Sequence, residues 1–122
     1  MFNKVILAGR LVADPELMVI KNGKDTQLCR FRIASNTVFR SKKETLFIRV
    51  VVFGNQAVRI KEHLKKGDPV IVDGRLRMDQ YTGKNQEKTI SYEVIANRVV
   101  FLPRKKERTP TIEEIEPEME PF

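Results

Sequence analysis

The sequence predicts an all-β domain: a five-stranded Greek-key barrel with one helix between strands 3 and 4, followed by an acidic C-terminal tail. Three observations carry this. Short runs rich in β-branched residues alternate with polar ones, and Asp-Pro, Asn-Gly and Gly signals punctuate them as far as about residue 102. One segment alone, residues 55–66, shows helical periodicity. The charge then reverses. Residues 1–108 hold all 23 Lys and Arg against 11 Asp and Glu, whereas residues 109–122 hold five Glu and no base, giving the net +7.

The elements follow in order. Residues 4–11 form a short apolar run that Asp14-Pro15 breaks. Asn22-Gly23 marks a turn, after which Gln27 to Ile33 alternates, with Cys29, Phe31 and Ile33 on one face and Arg30 and Arg32 on the other. Residues 37–44 are polar and basic, a loop by composition. Residues 45–53 are a strand rich in β-branched side chains, and Gly54 ends it. Asn55 is placed to cap the helix, Ala57, Ile60 and Leu64 share one stripe, and Lys65-Lys66-Gly67 supplies a basic end and a stop. Pro69 opens a strand to about Tyr81, residues 82–86 form a hairpin tip, and residues 89–102 form a long last strand. This order is that of an OB-type barrel. A small α+β sheet protein is the alternative the pattern leaves open.

At 122 residues the chain is one domain with a modest core, and its hydrophobic content of 41% against 32% charged residues predicts a heavily charged surface. Residues 1–103 read as the barrel and 104–122 as a short basic linker with an acidic tail. The basic excess makes nucleic acid the leading partner. A membrane is disfavoured, because no Lys/Arg-rich amphipathic helix is visible and the apolar stretch Val5 to Gly9, closed by Arg10, is too short for a span or a leader. A cytoplasmic, nucleoid-associated location is expected. One Cys and one His allow neither an intrachain disulfide nor a metal cluster, so no metal or cofactor is expected.

Two strands suggest where binding occurs. From Pro69 onward Val70, Val72, Gly74, Leu76 and Met78 face one way, as a core face. Ile71, Asp73, Arg75, Arg77, Asp79 and Tyr81 face the other, which should be wet. In residues 45–53, Phe47, Arg49, Val51 and Phe53 oppose Leu46, Ile48, Val50 and Val52. Both faces cannot enter one small core. A row of Phe, Arg and Phe suits single-stranded nucleic acid, because bases stack on rings at about 1–3 kcal/mol each while Arg neutralises phosphates. Phe39, beside Arg40, Lys42 and Lys43, and Tyr81, beside Lys84, read the same way. Catalysis finds no nucleophile, phosphate loop or carboxylate pair. His63 reads as a solvated helix residue and Cys29 as core filler.

These residues resemble the bacterial single-stranded DNA-binding protein family. The matching segments are Asn3-Lys4-Val5-Ile6-Leu7-Ala8-Gly9, Asp14-Pro15-Glu16-Leu17, Asn22-Gly23, Arg49-Val50-Val51-Val52-Phe53-Gly54, His63-Leu64-Lys65-Lys66-Gly67 and Val70-Ile71-Val72-Asp73-Gly74-Arg75-Leu76. The tip Glu118-Met119-Glu120-Pro121-Phe122 resembles the family's acidic Pro-Phe terminus. The resemblance implies an OB-fold, usually a homotetramer, that wraps single-stranded DNA during replication, repair and recombination. It also implies that the tip, Glu118 to Phe122, docks replication and repair proteins. The family's stacking rings fall on Phe39, Phe47, Phe53 and Tyr81, where Trp is common elsewhere and this chain has none. Arg10, Arg49, Arg75, Arg77, Lys42, Lys43 and Lys84 are the expected phosphate contacts. An OB-fold replication-restart subunit or an RNA-binding accessory subunit is the alternative, although neither needs the acidic tip.

Overall fold

Alternation along the chain becomes an inside and an outside once the strands pair. The computed structural model describes residues 1–21 and 23–103. In chain order the elements are β1 Val5–Leu11, β2 Glu16–Ile20, β3 Thr26–Phe39, β4 Lys42–Phe53, α1 Asn55–His63, β5 Pro69–Thr82 and β6 Lys88–Phe101. β1 closes the barrel: Val5 to Arg10 pair with β5, while Arg10 and Leu11 also pair with Ala34 and Ile33 of β3. The circuit β1-β3-β4-β6-β5 therefore returns on itself. Only β4 and β6 run parallel within it. In chain order α1 falls between the third and fourth barrel strands, so the OB topology expected from the sequence is the one observed.

The core is the inward set of each strand. Leu11, Cys29, Phe31, Ile33, Val50, Val52, Val70, Val72 and Val94 are buried, and α1 plugs one end with Ala57 and Ile60, followed by Leu64. The helix is tied down where Lys61 Nζ donates to the Pro15 carbonyl at 2.8 Å. Two glycines let backbones cross closely. A Cβ on Gly9 would lie 2.7 Å from the Ala34 carbonyl oxygen, at the β1–β3 seam, and one on Gly74 would strike the Ile95 carbonyl.

Several sequence expectations change in detail. β2 was not foreseen; it is an edge strand on β3 whose five residues are all exposed. Residues 37–44 are not a loop. β3 and β4 continue their ladder to Phe39 and Lys42 and turn on Arg40 and Ser41, both with positive φ (48° and 68°). The helix is capped by the backbone at Gly54 rather than by the Asn55 side chain, and it ends at Leu64 in extended conformation. Gly67 (φ 91°) belongs instead to a separate turn, in which Asp68 Oδ2 accepts from the Lys65 amide at 2.9 Å. Finally, the core face of β5 stops at Gly74. Leu76 and Met78 are exposed, because the strand runs past the end of the barrel beyond an irregularity in its register with β6 at Asp73/Gly74.

Candidate nucleic-acid interface

Strand register sorts the outer surface into rows. One row reads Glu16, Arg30, Val51, Ile95, Arg75 across β2, β3, β4, β6 and β5. The next reads Arg32, Arg49, Glu93, Arg77. On one side of these rows Leu28 stands opposite Phe53; on the other Arg10, Ala34 and Phe47 are in register. Phe53 and Phe47, 42% and 56% exposed, thus bracket the two Arg rows. Six residue steps of strand separate them, about 20 Å at ~3.3 Å per step.

The surface between the rings is apolar at its base and cationic above. Val51 and Ile95 are buried although they lie outside the main core. Arg30 and Arg75 flank them in register, and the aliphatic stem of an Arg is able to cover such a base while its head stays wet. Two of the guanidinia have acidic neighbours. Arg30 Nη2 lies 3.6 Å from Glu16 Oε2, and Arg77 Nε lies 3.6 Å from Glu93 Oε1. Ring faces flanked by cations in excess over acids can hold stacked bases and the phosphates between them.

The other expected residues divide. Tyr81 keeps the alternation of Arg75 and Arg77, pairs with Thr89 and is 57% exposed, with Lys84 in the tip beyond. It extends the same face outward along the β5–β6 hairpin. Phe39 does not join Phe47. By alternation it shares the side of Cys29, Phe31 and Ile33, and it sits at the β3–β4 tip five residues beyond Ala34, about 17 Å along the strand. It is exposed there, with the Arg40 guanidinium carbon 5.3 Å from its ring centroid. Lys42 pairs with Phe39 and Lys43 with Val38, so both bases flank that tip. Arg10 lies in register with Phe47 across Ala34, but its Nη1 donates to the Gly67 carbonyl at 3.1 Å, which holds the head toward the turn after α1.

Arg30 and Arg32 join these rows without being among the expected phosphate contacts. Alternation had already set them opposite Cys29, Phe31 and Ile33. What one strand could not show is that β4 brings Arg49 and Val51 beside them. The expected tip, Glu118 to Phe122, lies outside the described residues, as does the basic run Arg104-Lys105-Lys106.

The Cys29 thiol is pushed up from 9.0 to about 11, first by burial and only partly offset by the Lys61 charge, so it stays protonated at neutral pH. His63 is exposed and rests against Phe101, ring centroids 6.1 Å apart. Among the described residues no three His, Cys, Asp or Glu side chains come together as a metal site. Nor is any helix there long and apolar enough to cross a membrane.

Comparison with known proteins supplies the context for this face. The profile of the "Single-strand binding protein family" matches residues 2–102. A "Single-stranded DNA-binding protein" of Thermotoga maritima is 40% identical over 124 aligned positions, covering 98% of this chain and 85% of that one. "Single-stranded DNA-binding protein 2" of Staphylococcus aureus strain Mu50 is 40% identical over 108 positions, covering 86% and 75%. Among solved structures, "Plasmodium falciparum SSB complex with ssDNA" superposes with a TM-score of 0.75 at 27% identity, covering 84% of this chain and 96% of that one. The chain belongs to the single-strand binding protein family.

Proposed function

We propose that the protein binds single-stranded DNA on the outer face of β3, β4, β6 and β5. One observation carries the reading: exposed Phe53 and Phe47 bracket rows that hold Arg30, Arg32, Arg49, Arg75 and Arg77. Bases stack on the rings, and the guanidinia neutralise phosphates, so the main contacts need no particular sequence. Tyr81 and Lys84 on one hairpin, and Phe39, Lys42 and Lys43 on the other, lengthen the path of the strand. No step of this function needs catalysis. The test is binding to oligo-dT against duplex DNA of equal length. Affinity for oligo-dT should fall as salt rises, with a log–log slope near −0.7 per phosphate neutralised. Preference for the duplex at equal salt overturns the reading.

The wider role is protection of single strands during replication, repair and recombination, with the protein working as a homotetramer. Exposed apolar residues that DNA stacking does not use favour self-association: Ile6 on β1, and Leu76, Met78, Ile90 and Tyr92 on the β5–β6 hairpin. The acidic tip, Glu118 to Phe122, recruits partner enzymes that carry basic apolar pockets. Only ten residues, 103–112, separate the acidic stretch from the barrel. The tip therefore also competes with DNA for its own body. Deleting residues 118–122 should leave oligo-dT affinity equal or raised and abolish partner capture; a several-fold loss of DNA affinity contradicts this role.

A further inference from the structure

A pocket of about 210 Å³ opens beside the Arg rows, where the chain turns from β1 into β2. Asp14, Glu16, Arg30, Arg32 and Arg49 line it. Three guanidinia against two carboxylates leave it only weakly cationic, a poorer match to a phosphate than an all-basic lining. It suits a neutral group that presents acceptors and donors together, as the edge of a nucleobase does. The pocket adjoins the path between Phe53 and Phe47, so a nucleotide crossing from one ring to the other can turn its base in while its phosphate stays on the outer guanidinia.

The bases differ in what they offer such a lining. Guanine presents O6 and N7 as a pair of acceptors, the partners that Arg binds bidentately, and it alone carries the N2 amino donor. A carboxylate can accept from that amino group and the adjacent N1–H. Thymine has neither the amino donor nor the O6/N7 acceptor pair, so it can give a carboxylate only its single N3–H. Each carboxylate has a polar neighbour, and Glu16 stays largely exposed. Asp14 Oδ1 accepts from the Lys66 amide at 2.8 Å, and Glu16 Oε2 lies 3.6 Å from Arg30 Nη2. Resting on the single-strand reading above, we infer that this pocket is a guanine-preferring base subsite set into an otherwise sequence-tolerant face. Arg32 and Arg49 address O6 and N7, and Glu16 addresses the N1–H and N2 amino edge.

The experiment compares the full-length protein with its Glu16→Gln variant on four 30-mers: oligo-dT and repeats of dT-dT-dG, dT-dT-dI and dT-dT-dA. Deoxyinosine keeps O6, N7 and N1–H but lacks the amino group. The unmodified protein should bind the dG repeat about fivefold tighter than the dI repeat. It should favour dG over dA as well, which separates edge recognition from purine stacking. In Glu16→Gln the dG-over-dI advantage should vanish while oligo-dT binding holds or rises, because the change removes a negative charge beside Arg30 and takes away no phosphate contact. Equal affinity for dG and dI repeats, equal affinity for dG and dA, or an advantage that survives Glu16→Gln overturns the subsite. If oligo-dT binding persists in those cases, the single-strand reading stands without it. Failure to bind oligo-dT at all defeats that reading and the subsite together.

Discussion

The β3–β4 pair carries two faces that both bear large apolar side chains and bury them differently. Its inner face, Cys29, Phe31 and Ile33 against Val50 and Val52, is fully packed. Its outer face, Arg30 and Arg32 against Phe47, Arg49 and Phe53, leaves large rings open. The residue type alone does not separate Phe31 from Phe47 and Phe53. What separates them is interleaving: an aliphatic or aromatic residue flanked by others of its kind is drawn inside, whereas rings spaced by guanidinia stay at the surface. An Arg head has to remain wet and holds its strand face there.

The largest effect that sharpens this contrast is on stability. Phe31→Ala should cost about 3–5 kcal/mol of unfolding free energy by denaturant titration. Oligo-dT affinity of the protein that remains folded should be unchanged. Next comes the outer face. Phe47→Ala and Phe53→Ala should each cost on the order of 1–3 kcal/mol in oligo-dT binding, with Tm hardly moved. If either ring instead destabilises the fold and leaves binding intact, it belongs with the core and the contrast breaks. Smaller still, Arg75→Gln should lower the magnitude of the salt slope by about 0.7 while affecting different sequences alike.

A last effect lies inside, at Cys29. Its thiol should resist alkylation at neutral pH until the protein unfolds. Because its folded pKa is raised from 9.0 to about 11, the neutral thiol favours the folded state fully below pH 9. That contribution is lost as pH climbs through about 11. Unfolding titrations between pH 8 and 11.5 on the protein and on Cys29→Ala would show the difference; a Cys29 contribution that grows with pH would contradict it.

How much of this was legible in the chain depends on which force decides each feature. Where side-chain burial decides, the pattern spoke plainly: Cys29, Phe31 and Ile33 went in, Arg30 and Arg32 went out, and Ala57, Ile60 and Leu64 marked the helix stripe. Where backbone pairing decides, it was silent. Polar residues at 37–44 join a ladder because main-chain groups, not side chains, make its hydrogen bonds, and the turn at Arg40 and Ser41 lacks the Gly or Asn that announces positive φ. β2, with no buried face, gave no alternation to read. Leu76 and Met78 looked like core because alternation continues past the place where the barrel ends. The candidate site was half legible for the same reason. Its rings and several of its Arg could be read strand by strand, but the rows that unite them are a property of register.

The outer-face claim is tested most directly by photo-cross-linking oligo-dT substituted with 5-bromodeoxyuridine and mapping the attached peptides. Cross-links concentrated at Phe47, Phe53 and Tyr81, and lost with competing oligo-dT, are the expected result. Cross-links concentrated instead on Ile6 and Ala8 of β1, or on α1, would place the DNA on another surface and contradict it.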